Sequence, residues 1–360
     1  MTNEMPRPAA APMTGHALAH NTSEEVMFEI RRVIVGQDVL LERLLVALVG
    51  NGHVLLEGVP GLAKTLAIKT LADVLHGTFS RIQFTPDLVP ADLVGTRVFR
   101  PDKSAFETEL GPVFANFVLA DEINRAPAKV QSALLEVMQE RQVTIGPDTF
   151  PVERPFLVMA TQNPIESEGT YPLPAAQVDR FMMKVLVGYP SPAEETEVVS
   201  RSLRPAPVIN AVLSAEKLAD LQALASDTYV DPAIIDYAVR LTVATREPGR
   251  VGLAGIKPYI AWGASPRGSV NLVHAARALA VIRGRRYVLP SDVSELARDV
   301  LRHRIVPSFT AMAEEVTAEM ILDRLLPAVG EPHMSAAAAA MGMPSQQPVM
   351  PAVGTNAAAA

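Results

Sequence analysis

Residues 53–72 read HVLLEGVPGLAKTLAIKTLA, and this stretch decides the fold that the rest of the chain is expected to adopt. Its apolar start predicts a buried strand, its glycine-bearing middle a tight loop, and its end a helix that Gly77 closes. A loop that ends in Lys-Thr at a helix start cradles phosphates, because backbone N–H groups and the positive end of the helix dipole converge on an anion. The stretch therefore predicts a phosphate-binding loop.

Two residues of this loop carry the expected chemistry, and a third departs from the usual pattern. Lys64 is expected to reach the terminal phosphates, and the Thr65 hydroxyl to hold a magnesium ion. The general pattern G-x-x-x-x-G-K-[ST] has glycine where this chain has Ala63. A chance glycine turn is the alternative interpretation of the loop alone. The residues expected to surround a bound nucleotide here are Gly58, Pro60, Gly61, Leu62, Ala63, Lys64, Thr65 and Leu66.

Composition narrows the class of protein. The 360 residues predict about two domains, since domains usually contain ~100–200 residues. A hydrophobic content of 49% is enough for a sizeable core, and the net charge of −7 argues against a dedicated nucleic-acid-binding protein. The absence of cysteine excludes disulfides, and no apolar run approaches the ~20 residues that span a bilayer. With no signal peptide evident, we expect a cytoplasmic protein without a membrane span.

The hydrophobic pattern predicts an α/β domain followed by a helical domain. Apolar strands alternate with helices in the first part, which predicts a five-stranded parallel sheet covered on both faces. Two terminal stretches rich in Ala, Met and Pro are expected to be disordered. The predicted boundaries are 1–20 for the first tail, 21–190 for the α/β domain, 191–330 for the helical domain and 331–360 for the second tail.

Capping residues predict where several helices begin. Thr22 has capping-box spacing to an acid three residues later, which predicts a helix start there. In the helical domain Ser265 predicts the start of one helix and Gly284 its end. Asp292 is expected to open the next helix.

Two predicted hairpins interrupt the α/β domain. One pairs residues 96–99 with 105–108, and the other pairs 143–145 with 149–152. Exposed insertions of this kind are unusual in a minimal nucleotide-binding domain. They suggest a working surface.

An acidic pair follows another predicted strand. Residues 114–120 are strongly apolar, and Asp121 and Glu122 come directly after them. Neighbouring side chains at a strand end point in different directions, so one carboxylate is expected to serve magnesium while the other approaches the attacking water. Asn163 ends the next buried strand, where it is expected to align that water. The alternatives are a turn cap for Asp121, a solvated Glu122 and a plain turn role for Asn163.

Two arginines are candidates for phosphate contacts. Arg267 lies in the first turn of a predicted helix, where the helix dipole disfavours a cation unless a phosphate faces it. Arg180 precedes the fifth strand and is a candidate arginine finger for a neighbouring subunit, a role typically worth ~10³–10⁵ in rate. The alternatives are a surface arginine for Arg267 and, for Arg180, an ion pair with Asp179 or another local acid.

Taken together, these segments resemble the MoxR family of AAA+ ATPases over residues 25–310. The strings that carry the resemblance are GVPGLAKT from residue 58, LADEINRAPAKVQSALLEVMQERQVTI from residue 119, ATQNPIESEGTYPLPAAQVDRF from residue 160 and GASPRG from residue 263. The resemblance implies an AAA+ P-loop domain with a C-terminal helical lid, which binds ATP and Mg²⁺ and hydrolyses ATP to ADP and phosphate. MoxR-like P-loops share the departure at Ala63.

The resemblance also implies a role for each residue of the site. It places Lys64 and Thr65 in the Walker A motif, Asp121 and Glu122 in Walker B, Asn163 at sensor 1, Arg267 at sensor 2, Arg180 at the finger, and Val35, Gly36 and Gln37 against the adenine.

Three hypotheses for function follow. The resemblance implies a hexameric ring of identical subunits that remodels a client enzyme, with a von Willebrand factor A domain protein as partner and metal-cofactor maturation as a context. Both hairpins would then face the ring axis. A nucleic-acid motor is a second hypothesis, because hairpin-bearing AAA+ rings include replicative helicases, although the acidic balance argues against it. A scaffold that binds ATP with little turnover is the third, and the intact acidic pair argues against it.

Overall fold

The computed structural model describes residues 15–59, 61–163 and 170–332. Pro60 and most of the two predicted tails lie outside the described residues. The strands are β1 Val54–Glu57, β2 Phe79–Gln83, β3 Gly95–Arg100, β4 Ala105–Leu110, β5 Phe117–Asp121, β6 Gln142–Ile145, β7 Asp148–Pro151, β8 Leu157–Gln162, β9 Met183–Leu186, β10 Ile260–Trp262 and β11 Val306–Pro307. The helices are α1 Gly15–Arg31, α2 Asp38–Val49, α3 Lys64–Val74, α4 Pro90–Val94, α5 Ala128–Glu140, α6 Ala175–Val178, α7 Pro192–Ser202, α8 Ala215–Asp227, α9 Pro232–Arg246, α10 Pro266–Ile282, α11 Pro290–Leu301, α12 Phe309–Ala313 and α13 Ala318–Ala328.

The central sheet contains five parallel strands in the order β2-β5-β8-β1-β9, which confirms the predicted α/β architecture. Successive side chains of a strand face opposite sides of the sheet. Leu55 accordingly packs in one core cluster, whereas Val54 and Leu56 pack in the other. Both faces are therefore covered, which explains why the strands are almost continuously apolar.

The parallel direction gives the sheet two unlike edges, called here the carboxyl edge and the amino edge. β1 and β9 pair in register, from Val54 opposite Met183 to Glu57 opposite Leu186. The loop after Glu57 therefore lies at the carboxyl edge, and the chain before Met183 lies at the amino edge. At ~3.3 Å per residue, these short strands separate the two edges by ~10–13 Å.

The helical region, residues 192–328, shares its apolar core with one face of the sheet. It also contains a short antiparallel pair, β10 with β11, that the sequence did not predict. These strands are too short to show the alternation from which strands are recognised. Within the described part of the chain, no helix combines the length and the apolar character needed to cross a membrane.

Two predicted element boundaries in the first domain are wrong. α1 begins at Gly15, so residues 15–20 are helical and not part of a disordered tail. Thr22 lies inside this helix and does not cap it. Its hydroxyl donates to the Leu18 carbonyl at 3.0 Å, which is a bond that threonine can form within a helix. The strand predicted over 114–120 begins only at Phe117, because a 3₁₀ turn precedes it.

The helix starts predicted for the helical region have different outcomes. Ser265 caps α10 as predicted, since its Oγ accepts from the backbone N–H of Arg267 at 3.1 Å. Gly284 follows the end of α10 with a positive φ, also as predicted. Asp292 does not precede α11 but lies in its first turn, where its carboxylate accepts from the backbone N–H of Leu289 at 2.8 Å.

A buried arginine connects the helical region to the amino edge. The Arg304 side chain is 0% exposed, and its Nε donates to Asp179 Oδ1 at 2.8 Å. Its Nη2 donates to the carbonyls of Phe181 at 2.6 Å and Asp179 at 3.0 Å. Burial lowers the pKa of Arg304 to about 10, which Asp179 partly opposes, so the guanidinium is charged at neutral pH. Arg304 therefore holds the segment that enters β9 through three groups of that segment, the Asp179 carboxylate and two backbone carbonyls.

The backbone at Ala63 is in the left-handed region, with φ 55° and ψ 16°. This conformation explains why the general loop pattern has glycine at this position, because a Cβ makes it unfavourable. α3 begins at the next residue, Lys64, so the strain lies at the turn into the helix.

Replacing Arg304 with Met should lower the free energy of unfolding by ~3–5 kcal/mol, because the carboxylate of Asp179 would lose its buried counter-charge. Urea denaturation followed by circular dichroism measures this change. The control is Arg298→Met, which removes an exposed pair with Asp323 and should cost at most ~1 kcal/mol. Equal costs for the two variants would contradict the role of Arg304.

Replacing Ala63 with Gly should stabilise the chain by up to ~1 kcal/mol, because relief of the left-handed strain exceeds the entropy cost of glycine. The same change at Ala219, an exposed position inside α8, should destabilise it by ~1 kcal/mol. Chemical denaturation of both variants tests whether the signs are opposite, and the same sign would refute the strain argument.

Candidate functional site

The loop after β1 opens into a cavity of about 410 Å³ at the carboxyl edge, called here the P-loop cavity. β1 supplies the loop, β5 supplies the acidic pair and β8 supplies Asn163. These strands are neighbours in the sheet, so residues far apart in sequence meet at one edge. The described lining consists of residues 61–66 with Arg81, Asp121, Glu122, Thr161 and Asn163.

Lys64 lies at the start of α3 and folds back over the loop. Its Nζ donates to the Gly58 carbonyl at 2.6 Å. Burial lowers the pKa of this ammonium, and the charges of Asp121 and Glu122 oppose that shift. Gly58 itself packs closely against the residue that follows β9, because a Cβ there would lie 2.7 Å from the Val187 carbonyl oxygen. The loop therefore packs against the chain at the end of β9, and the charge of its lysine interacts with the carboxylates of Asp121 and Glu122.

Both carboxylate oxygens of Asp121 have partners. Thr161 Oγ1 donates to Oδ1 at 2.6 Å. Arg81 donates to Oδ2 through Nη2 at 2.6 Å and through Nε at 3.1 Å. Asp121 therefore carries an ion pair in this structure, and Arg81 would have to move before a metal ion could take Oδ2.

The carboxylate of Glu122 is held by two other groups. Gln83 Nε2 donates to its Oε2 at 2.8 Å, and Arg125 Nε pairs with the same oxygen at 2.9 Å. Thr161 Oγ1 accepts from the Glu122 backbone N–H at 2.9 Å, so one hydroxyl contacts both acidic residues. The two acids thus point to different partners at the same edge.

Sequence reasoning did not identify Arg81, Gln83 or Thr161 as members of this site. Arg81 and Gln83 are two residues apart on β2, so their side chains lie on the same face of the sheet. Gln83 pairs in register with Asp121. This juxtaposition depends on the order of the strands in the sheet. One signal was available, because Thr161 lies near the end of β8 and two residues before Asn163, a spacing that places both side chains on the same side of an extended chain.

The segment predicted to contact adenine, residues 35–37, lies at the carboxyl edge beside the chain that follows β9. Gln37 Nε2 donates to the Gly188 carbonyl at 3.0 Å. Gly36 has a φ of 64°, and a Cβ there would lie 2.3 Å from Glu194 Oε1. Val35 and its neighbours are therefore next to the last strand, but they do not belong to the described lining of the P-loop cavity.

The two predicted phosphate-contacting arginines lie at the amino edge, away from the P-loop cavity. Arg180 Nη1 donates to the Leu135 carbonyl at 2.9 Å. Arg267 Nη1 is 3.8 Å from Asp179 Oδ2, an oxygen that also accepts from Ser265 Oγ at 2.8 Å. Asp179 thus provides the negative charge in front of the α10 dipole, and among the ion pairs of the described residues it is not paired with Arg180.

The two hairpins form a shared exposed surface, called here the hairpin surface. Phe99 and Phe106 contact each other with ring centroids 5.2 Å apart and are 50% and 58% exposed. The guanidinium of Arg97 lies 5.2 Å from the Phe106 ring. The second hairpin meets the first at Gly146, where a Cβ would lie 2.7 Å from Arg97 Cδ. The predicted hairpins are confirmed, and their contact brings exposed aromatic rings together.

Comparisons with known proteins agree with this geometry. A family model described as ATPase family associated with various cellular activities (AAA) matches residues 53–183, and a model of the AAA lid domain matches residues 254–325. The chain is 56% identical to Chaperone MoxR1 of Mycobacterium tuberculosis, over 96% of this chain and 90% of that protein. It is 35% identical to Protein MoxR of Paracoccus denitrificans, over 82% of this chain and 91% of that protein.

A solved structure shows the same fold. The crystal structure of a Cytophaga hutchinsonii protein assigned as an ATPase matches with a TM-score of 0.83 and 46% identity, covering 88% of this chain and 96% of that chain. The chain belongs to the MoxR family of AAA+ ATPases, and its described residues form the α/β domain and helical lid of that family.

Proposed function

We propose that this chain hydrolyses ATP within a ring of identical subunits and uses the energy to remodel a client protein. The observation that carries the proposal is the meeting of the loop, the acidic pair and Asn163 in the P-loop cavity. Hydrolysis of a γ-phosphate depends mainly on positioning and on charge neutralisation. This cavity contains groups suited to both tasks.

The oxygen donors of the P-loop cavity fit a magnesium ion. Mg²⁺ is usually bound by one or two carboxylates together with substrate phosphates, and the Thr65 hydroxyl and the Asp121 carboxylate meet that requirement. When bound, Mg²⁺ supplies neutralisation of the phosphate charge. Arg81 now covers one oxygen of Asp121, and we propose that it turns away when the metal and nucleotide bind.

The remaining roles belong to side chains of the same cavity. Lys64 would leave the Gly58 carbonyl and bind the terminal phosphates, which its flexible stem allows. Glu122 would accept a proton from the attacking water as general base. Asn163 would align that water from the neighbouring strand. Residues 35–37 would contact the adenine, because they lie beside the strand against which the loop packs.

The position of Arg180 and Arg267 supports a site shared between subunits. Both arginines lie at the amino edge, whereas the cavity of the same chain lies at the carboxyl edge. The separation of ~10–13 Å across the sheet exceeds what a side chain covers through a packed core. We therefore propose that both act on the nucleotide of an adjacent subunit. AAA+ ATPases usually form oligomers, and we propose a hexameric ring.

The hairpin surface is the proposed contact for the client. Its exposed aromatic rings and Arg97 are the residue types that dominate protein interfaces. Chaperone-like activity agrees with the name of the Mycobacterium tuberculosis relative, Chaperone MoxR1. From the family resemblance we further propose a von Willebrand factor A domain protein as partner and metal-cofactor maturation of an enzyme as the context.

Replacing Glu122 with Gln should lower ATP turnover by ~10²–10⁴-fold, because the general base is lost while the shape of the side chain is kept. Steady-state phosphate release measures turnover, and equilibrium binding of a fluorescent ATP analogue should be close to that of the unchanged protein. Glu136→Gln, at an exposed position of α5, is the matched control and should leave both quantities unchanged. Undiminished phosphate release by Glu122→Gln would refute this assignment.

Mixing two inactive variants tests the shared site. Arg180→Ala should lower turnover by ~10³–10⁵-fold, and Lys64→Ala should abolish nucleotide binding. In an equal mixture, intact loops meet intact arginines at about one quarter of the contacts between subunits, so turnover should return to about one quarter of the original rate.

The control mixture combines Arg180→Ala with the double variant Lys64→Ala/Arg180→Ala, which supplies no arginine to a neighbour. This mixture should stay inactive. If the turnover of the first mixture instead equals the sum of the turnovers of its two variants, Arg180 acts within its own subunit, and the proposal of a shared site is wrong.

A further inference from the structure

A cleft lined by Arg141, Arg154, Arg180 and Arg277, called here the arginine cleft, lies between the amino edge of the sheet and the helical lid. Its volume is about 650 Å³, within the ~300–1,000 Å³ typical of small-molecule sites. Three of the arginines belong to the α/β domain, and Arg277 belongs to α10 of the lid. The described residues that line the cleft include no acidic side chain, so four positive charges surround one space.

Three of these arginines bury a guanidinium nitrogen that finds no acceptor among the described residues, namely Nη1 of Arg141, Nε of Arg180 and Nε of Arg277. Other nitrogens of the same groups are held in place. Arg141 Nη2 donates to the Asn51 carbonyl at 3.0 Å, and Arg180 Nη1 donates to the Leu135 carbonyl at 2.9 Å. Buried donors are normally bonded, so three of the arginines that line the cleft carry a donor without an acceptor among the described residues.

The electrostatic surroundings of the arginine cleft also favour an anion. Burial lowers the pKa of Arg141, and the positive charge of Arg154 lowers it further. Burial also lowers the pKa of Arg277, which Asp227 opposes from outside the lining. Burial lowers the pKa of His53 to about 3, so this lining histidine is neutral and offers no charge. An anion in the cleft would relieve the repulsion between these positive charges.

We infer that the arginine cleft binds a polyphosphate anion, such as the phosphate tail of a nucleotide. Guanidinium groups bind phosphates through paired N–H donors, and successive phosphates present several negative charges to several arginines at once. The cleft lies at the amino edge, so it is separate from the P-loop cavity of the same chain. Two sources supply this chemistry, a free polyphosphate or the nucleotide of an adjacent subunit. The inference rests on the proposed function only for the second source.

The test is binding of inorganic tripolyphosphate to the full chain with Lys64→Ala, measured by isothermal titration calorimetry. The Lys64→Ala change weakens anion binding in the P-loop cavity, and the measurement involves no ATP turnover. The result is therefore valid even if the proposal of ATP hydrolysis is refuted. We expect binding, and we expect Arg154→Ala added to this background to weaken it by ~10- to 100-fold. Arg154 is exposed and has no hydrogen bond or ion pair within the part of the chain that the structure describes, so its replacement removes neither kind of interaction there.

Two further variants make the result specific. Arg277→Ala removes a donor from the lid side of the cleft and should also weaken binding. Arg204→Ala removes an exposed arginine outside the cleft and should leave binding unchanged. Melting curves without the anion check that each variant is folded. Absence of tripolyphosphate binding would overturn the inference. Binding by the folded Arg154→Ala and Arg277→Ala variants that is as tight as binding by the Lys64→Ala parent would also overturn it.

The source of the anion is distinguished by ATP turnover in the chain with an intact Lys64. For the nucleotide of an adjacent subunit, Arg154→Ala lowers turnover in the absence of tripolyphosphate, and added tripolyphosphate inhibits the unchanged protein by competition. For a free anion, Arg154→Ala alters only the response of the rate to added tripolyphosphate.

Discussion

The common direction of the five strands is the constraint on which the arrangement of the site depends. Chain segments that follow a strand meet at the carboxyl edge, which is where open α/β sheets bind ligands. Lys64 and Asn163 follow strands and Asp121 ends one, so the parallel sheet brings these residues together although they are far apart in sequence. Arg180 precedes a strand, so the same rule places it at the other edge. A change of loop sequence can alter which residues lie at each edge of the sheet. It cannot move residues from one edge to the other.

The ion pair of Arg304 with Asp179 joins this sheet to the lid. Asp179 also accepts from Ser265, the cap of α10, so a single carboxylate contacts two parts of the lid. Arg267 and Arg277 lie on α10 and must therefore move together with it. Any rotation of the lid about this contact would change the position of Arg267 and the width of the arginine cleft at the same time.

Local sequence predicted the strands and hairpins well, because apolar alternation and turn residues act over a few positions. The start of α1 could not be predicted in this way, since the helix is held by distant contacts such as that of His20 Nδ1 with the Ile282 carbonyl at 2.8 Å. The contact of Thr161 with Asp121 depends on strand order, which no local pattern encodes. The position of Arg267 depends on how the lid docks. The loop between β1 and α3 was predictable because its signals lie within eight consecutive residues.

The opposite positions of the loop and the arginines also have a consequence for assembly. Two copies that meet through unlike edges form a head-to-tail contact, and the pair keeps one free carboxyl edge on one copy and one free amino edge on the other. Such contacts continue until the rotation between copies sums to a full circle, or they wind into an open helix. The number of subunits is then set by the angle between the two edges within one chain. The packing of the lid against β9 contributes to that angle. The contacts of Arg304 would therefore decide between a closed and an open assembly.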